Sequence, residues 1–235
     1  DGAFSLTAGI FPRSMSRERW STAFFSEKYM WYHPYMEGML MSYERAHGHL
    51  ELGCDWIGMH GASPSVKEQF MLFSSGHISP WRRLRLGCSA YMMHLANSAE
   101  APGVADNFLG EAYAELNLGS LGGIFHEFTI RAGYLQSLQR DREVSSDFAA
   151  PGLGEVSLLL SRSGFGAANS LYYGKDLMTL YGSCDTAGEA YGERLYFNDP
   201  FFRIRPDGGS TAGSYDRLEV FYAPQFGRSL QLKFS

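Results

Sequence analysis

Apolar and polar side chains alternate strictly in the stretch RLRLGCSAYMMH, residues 83–94. Its even-numbered positions are apolar from Leu84 to Met92, and its odd-numbered positions from Arg83 to Tyr91 are basic, small or aromatic. A period of two places successive side chains on opposite faces of a β-strand. This stretch therefore predicts a strand with one apolar and one polar face.

The same period recurs along the chain. Further strands are predicted at 4–11, 48–57, 109–118, 126–134, 155–162, around 217–222 and 230–234, with weaker ones at 35–45, 68–77 and 165–176. Long amphipathic helices are not predicted. We therefore expect an all-β chain that forms one domain over residues 1–235, and the start at Asp1 without an initiator methionine fits a processed or trimmed chain.

The predicted connections fall into two length classes. The short ones lie at about 45–48, 78–81, 119–124 and 163–166, and the long ones lie at 13–34, 59–66, 96–106, 139–152 and after 177. The short ones contain Gly or Pro, as tight turns do. Strict alternation of short and long is typical of an antiparallel up-and-down meander, and outer-membrane barrels show it as short turns on one rim and long loops on the other.

The strand count depends on residues 178–215. A strand at 193–205 would raise the count from eleven to about twelve and place both chain ends on the short-turn side, as in single-chain bacterial barrels. Pro200 opposes a strand at that place. We predict an antiparallel up-and-down transmembrane β-barrel of about twelve strands.

A soluble sandwich or lipocalin would show the same alternation, so it stays an alternative. Three features favour the membrane. The predicted strands have about the length that crosses a bilayer, and aromatic residues gather around the long connections. Glycines also stand on the polar face, where they suit curvature or a large side chain lying over them. These glycines are Gly9, Gly53, Gly87, Gly133 and Gly174.

Composition excludes several classes of protein. Charged residues make up 19% of the 235 residues and aromatic ones 15%, which argues against a disordered chain and against a helical bundle. The net charge is −5, and the longest basic run is Arg82-Arg83, so we expect no nucleic-acid partner. The sequence also lacks an apolar run long enough for a transmembrane helix.

The polar face carries charges that would point into a lumen, because facing lipid would cost about 2–4 kcal/mol each. The predicted lumen-lining residues are Glu51, Asp55, Arg83, Arg85, Glu111, Glu115, Arg131, Glu155, Arg217, Glu219 and Lys233. They would form either an acid–base network that braces a small barrel or a pore lining that biases solute passage. Both signs are present, so strong charge selectivity is not expected.

We find no pattern for reaction chemistry or for a cofactor. Ser89 and His94 fall on opposite faces by parity, so they cannot form a catalytic pair. His47 and His49 would share a strand face, but no third metal ligand is spaced to join them, and a solvated turn is the simpler interpretation. We therefore predict neither an enzyme nor a metal site.

The chain resembles the porin-like outer-membrane barrels of the Bacteroidetes type. The resemblance lies in GIFPR (9–13), AFFSEKYMWYHPYMEGMLMSYE (23–44), ELGCDWIGM (51–59), RAGYLQSLQRDR (131–142) and YDRLEVFYAP (215–224). The segment GIFPR is also similar to a strand motif of phosphate-selective porins. The resemblance implies a location in the outer membrane of a Gram-negative cell and passive transport, and it identifies no substrate.

Two functions follow as expectations. The first is a porin-like channel that passes small solutes or ions through the outer membrane. The alternative is a non-conducting barrel that serves as a subunit or anchor of an outer-membrane protein assembly. The first long connection carries charges from Arg13 to Lys28 among aromatic residues, and it would fold inward as a constriction, dock a partner, or stay solvated.

Overall fold

The computed structural model describes residues 3–17, 20–58, 67–96, 98, 102–119, 125–199, 202, 212–223, 225–226 and 230–231. The strands are β1 (Ala3–Pro12), β2 (Tyr35–Arg45), β3 (Gly48–Gly58), β4 (Gln69–Trp81), β5 (Leu84–Leu95), β6 (Ala105–Asn117), β7 (Glu127–Asp141), β8 (Gly152–Arg162), β9 (Phe165–Gly174) and β10 (Gly213–Tyr222). Two short helices, α1 (Glu27–Tyr32) and α2 (Gly192–Leu195), lie between strands. In these described ranges no helix has the length and apolar character needed to cross a bilayer.

The ten strands form one antiparallel sheet in which each strand pairs with its neighbours in sequence. This confirms the predicted all-β, up-and-down topology. Short turns at 46–47, 82–83 and 163–164 alternate with longer connections, as predicted. The connection 118–126 departs from the prediction, because it is as long as the connection 96–104 at the other rim. The strands β1 and β10 form the two edges of the sheet, and the described residues show no pairing between them.

The predicted count of about twelve strands is wrong for this sheet, which has ten. The predicted strand at 193–205 is absent from its described part, because the chain there forms α2 and then packs Tyr196 and Phe197 into the interior. Near the chain end, two-residue strands at Gln225–Phe226 (β11) and Leu230–Gln231 (β12) pair only with each other.

The two faces of the sheet have opposite character. Glu51 in β3 is fully buried, whereas its neighbours Leu50 and Leu52 are 46% and 43% exposed. Water-soluble proteins usually bury leucine and expose glutamate. The predicted alternation is therefore present, with the charged face turned inward and the apolar face turned outward.

The sheet curves around its inner face, as the contacts of the connection between β1 and β2 demonstrate. Ser16 Oγ donates to Glu51 of β3 over 2.6 Å, and Thr22 Oγ1 lies 2.8 Å from the Tyr172 hydroxyl of β9. Residues 16 and 22 are six positions apart in sequence, yet they contact strands that stand six places apart in the sheet order. Such contacts fit a sheet that curves around this connection.

Two connections fill the inner face of the curved sheet. We call residues 13–34 the first inserted segment and residues 175–199 the second inserted segment. They meet in an aromatic cluster with side chains from β5, and the Ser26 amide donates to the Phe197 carbonyl over 2.7 Å. The cluster's main rings are Phe24, Phe25, Tyr29, Tyr91 and Phe197. The interior at the long-connection rim is therefore packed like a protein core.

Glycines on the inner face make room for large rings on the neighbouring strand. Gly53 stands opposite Phe73, and Gly87 stands opposite Tyr113. A Cβ atom at either glycine would overlap the facing ring. Covering a strand glycine with a cross-strand aromatic ring is a known way to stabilise curved sheets, and it confirms the sequence-based interpretation for these two positions.

Candidate functional site

Most of the predicted lumen-lining residues lie on the inner face of the sheet. These are Glu51, Asp55, Arg85, Glu111, Glu115, Arg131, Glu155, Arg217 and Glu219. Arg83 departs from the prediction, because it lies in the exposed 82–83 turn that reverses the chain before β5 begins. Lys233 lies outside the described residues.

Arg13 anchors the first inserted segment to β3. Its guanidinium forms a salt bridge with Asp55, and both side chains are almost fully buried, at 7% and 3% exposure. Arg13 also donates to the His33 carbonyl over 2.6 Å and to the Tyr29 hydroxyl over 2.9 Å. The Asp55 carboxylate in turn accepts the Glu37 amide over 3.0 Å. One arginine thus joins both ends of the segment to the wall.

Glu51 receives several donors from the same segment. The Ser16 hydroxyl donates over 2.6 Å and the Arg17 amide over 2.8 Å. His49 Nε2 lies 3.0 Å from Glu51 Oε1 with its side chain 7% exposed, so the predicted solvated histidine is wrong for this residue. His47 does lie in the 46–47 turn.

On the opposite side of the curved sheet, β8 and β9 hold the first inserted segment. The Ser21 hydroxyl donates to Glu155 over 2.7 Å, and the Tyr172 hydroxyl donates to the same carboxylate over 3.2 Å. Thr22 lies within hydrogen-bond distance of the Tyr172 hydroxyl as well. The first inserted segment is therefore fixed to opposite sides of the curved sheet by inner-face carboxylates.

Arg131 and Glu111 form a second ionic centre inside the sheet. The guanidinium donates to both carboxylate oxygens of Glu111 over 2.7 and 2.6 Å. Its carbon lies 3.6 Å from the centroid of the Tyr113 ring, a cation–π arrangement. Arg85 and Glu115 extend the network at 3.2 Å. These pairs brace adjacent strands from within.

A small polar cavity of about 70 Å³ remains between the first inserted segment and the wall. Ser21, Thr22, Glu115, Arg131 and Glu155 are among its polar lining residues, and Leu158, Leu159 and Ala168 line it as well. A water molecule suits such a space, because the polar part of the lining offers it several hydrogen-bonding partners.

The second inserted segment is fixed by polar contacts of its own. Asn107 Nδ2 donates to the Leu195 carbonyl over 2.9 Å, and Thr179 Oγ1 donates to Gln139 over 2.7 Å. Asp185 lies 3.0 Å from Arg194 and 3.5 Å from Lys67. Burial opposes ionisation of Asp185, but backbone hydrogen bonds and these two cations outweigh burial and hold its pKa below the usual value.

Between the two inserted segments lies a cleft of about 1100 Å³, which we call the rim cleft. Aromatic residues of its wall include Tyr29, Tyr32, Tyr191, Phe197 and Tyr215. Ion pairs join its sides: Lys28 lies 2.6 Å from Glu193, and Arg217 of β10 pairs with Glu27. The wall of the rim cleft is thus aromatic and charged at once.

Sequence reasoning identified the inner-face charges but not their partners. It placed Arg13 in a long connection without linking it to Asp55, and it did not single out Asn107. It was wrong for Gln139, which was predicted to begin the long connection 139–152 as part of an exposed loop stem but is buried in β7 and holds the second inserted segment. The sequence did point to Arg13, because in GIFPR (9–13) an arginine directly follows an apolar strand.

Among the described residues, no group of three or more histidine, cysteine, aspartate or glutamate side chains could hold a metal ion. No protein-family model, curated protein or solved structure matches the chain.

Proposed function

We propose that this chain is an outer-membrane β-barrel that acts as a porin-like channel for small solutes, with a lumen narrowed by its own inserted segments. The observation that carries the proposal is the first inserted segment, which folds onto the charged inner face through Asp55, Glu51 and Glu155. A loop held inside a barrel narrows the lumen and so restricts which solutes pass, and this needs no chemical reaction.

The inverted distribution of side chains supports the membrane location. Apolar residues stand exposed along the outer face, and charged residues are buried on the inner face. The ten strands are 10–15 residues long, which meets the about 9–11 residues that a tilted strand needs to cross a bilayer. The resemblance to Bacteroidetes-type porin-like barrels agrees with the same location.

The inner charges support a filter with little charge preference. Acidic and basic groups form pairs such as Arg131–Glu111 and Arg85–Glu115, so neither sign dominates the wall. Eight-stranded barrels are filled by side chains and barrels of sixteen or more leave wide channels. A sheet of ten strands with two inserted segments suits small solutes and ions.

One observation favours the alternative, a non-conducting barrel that serves as a subunit or anchor of an outer-membrane assembly. The aromatic cluster between the inserted segments contains fully buried rings such as Phe24. Such packing seals the long-connection rim unless a segment moves.

Planar-bilayer recording, combined with swelling of proteoliposomes in solutes of increasing size, separates the two functions. The channel predicts discrete, salt-dependent current steps and swelling that stops above a small solute size. Verified insertion with neither current steps nor swelling would overturn the channel and support the sealed barrel. A protein that stays monodisperse without detergent would overturn the membrane location.

A further inference from the structure

The wall of the rim cleft contains a group of stacked rings and one further, exposed ring. Tyr29 stacks on Phe197 with ring centroids 4.4 Å apart and on His33 at 4.8 Å, with interplanar angles of 29° and 25°. Tyr32 follows on the same wall and is 70% exposed. Flat rings presented in this way form a platform for another flat, partly apolar molecule.

A buried acceptor in the same wall has no hydrogen-bond partner among the described residues. The Asn198 side chain lines the cleft and is 5% exposed, and its Oδ1 atom forms no hydrogen bond with any described residue. Buried polar atoms are normally hydrogen-bonded, and an unsatisfied one is costly. Oδ1 itself has almost no accessible surface, so a ligand hydroxyl would reach it only after the Asn198 side chain turns toward the cleft, and the new hydrogen bond would then remove this cost.

The cations of the cleft wall are already engaged. Lys28 pairs with Glu193, and Arg217 pairs with Glu27. Arg194 lies 3.0 Å from Asp185 and 3.4 Å from Glu189. An anionic ligand would have to break one of these pairs, whereas a neutral hydroxylated ligand could bind beside them. The wall therefore favours a neutral ligand.

From these three features we propose that the rim cleft binds a neutral oligosaccharide. The apolar face of a pyranose ring would stack at Tyr32, and a sugar hydroxyl would donate to Asn198 Oδ1. The volume of about 1100 Å³ lies at the upper end of ligand-binding clefts, which suits a short oligomer. This inference names the class of solute that the proposed channel would pass. It rests on the proposed function, because the sugar would cross the membrane through that channel.

Binding is tested by calorimetry on the full chain in an amine-oxide detergent, because maltoside detergents carry a competing sugar. The probes are neutral hexasaccharides of glucose, mannose and xylose, with hexagalacturonate as their acidic counterpart. We expect at least one neutral hexamer to bind and hexagalacturonate to bind at least about tenfold more weakly.

Two variants and a matched control assign the binding to the cleft. Tyr32→Ala and Asn198→Ala should each weaken binding by about tenfold or more. Trp31→Ala removes a neighbouring ring of α1 that is 81% exposed and does not line the cleft, and it should leave binding unchanged. Tyr32 is exposed, so its replacement tests the site even if Asn198→Ala fails to fold.

The inference is overturned if no neutral hexamer binds, if hexagalacturonate binds as tightly, or if Trp31→Ala weakens binding as much as Tyr32→Ala. These results do not depend on current or swelling. Loss of saccharide binding with intact conductance would therefore contradict this inference alone, and binding without conductance would contradict the channel alone.

Discussion

The Arg13 guanidinium and the Asp55 carboxylate form a salt bridge inside the curved sheet, although 42 positions separate them in sequence. The bond joins the start of the first inserted segment to β3. Removing one partner of a buried pair leaves an uncompensated charge, which costs more than the pair contributes. The salt bridge therefore holds the first inserted segment on the inner face of the sheet as part of the folded structure.

We expect Asp55→Asn to lower the free energy of unfolding by about 3–5 kcal/mol, because it leaves Arg13 buried without a counter-ion. Urea unfolding in detergent micelles, followed by tryptophan fluorescence, measures the change. Arg17→Met is the control, because Arg17 pairs with Glu44 at the surface and its loss should cost less than about 1 kcal/mol. Equal losses in the two variants would contradict the anchoring role.

Replacing Arg131 by lysine should destabilise the fold although the charge is kept. Both hydrogen bonds to Glu111 leave from one nitrogen, Nη2, so the difference lies at the Tyr113 ring, on which a lysine cannot lie flat as the guanidinium does. We expect a loss of about 0.5–2 kcal/mol in the same unfolding assay. Arg85→Lys is the matched control, since Arg85 is half-exposed and makes one longer contact. A loss for Arg131→Lys no larger than that of the control would argue against a stabilising contact between the guanidinium and the Tyr113 ring.

Gly87→Ala should destabilise the sheet although the change adds a single methyl group. The new Cβ would overlap the Tyr113 ring and push it from its place beneath Arg131. Overpacking of this kind costs about 1–3 kcal/mol. Gly110→Ala places its Cβ no closer than 4.0 Å to a neighbour and should be tolerated. Equal stability of the two variants would refute the close approach.

The Tyr29 phenol should ionise only at high pH, because burial raises its pKa to about 12. The folded protein thus holds this proton more tightly than the unfolded chain, whose phenol titrates near pH 10. The stabilising effect is present below about pH 10 and is lost as pH rises toward 12. Phenolate absorbance of the protein minus that of Tyr29→Phe isolates this group, and ionisation near pH 10 would contradict its burial.

Period-two alternation was enough to predict the sheet, because each strand buries one face only. The same signal failed at 193–205, where Leu195 and Phe197 are apolar for another reason: they pack against the aromatic cluster from a connection. Apolar spacing alone does not tell a strand from a packed loop.

The alternation of residues along each strand predicted that these carboxylates lie on the inner face. It did not predict which groups they bind. Glu155 receives the Ser21 hydroxyl across 134 positions of sequence, and such a contact exists only once the sheet has curved around the first inserted segment. Nothing in the sequence pointed to Asn198, because its importance depends on one buried atom that has no hydrogen-bond partner among the described residues.

We propose that the first inserted segment narrows a conducting lumen, and the current through single molecules tests this directly. Single-channel recording should compare the intact chain with one in which residues 14–32 are replaced by a short Gly-Ser connection, and with a control in which residues 142–148 are replaced likewise. Each chain is first checked for β-structure by circular dichroism. We predict a several-fold larger conductance for the first replacement and an unchanged conductance for the control. Equal conductance in all three chains, or no conductance in a folded and inserted 14–32 replacement, would contradict the account.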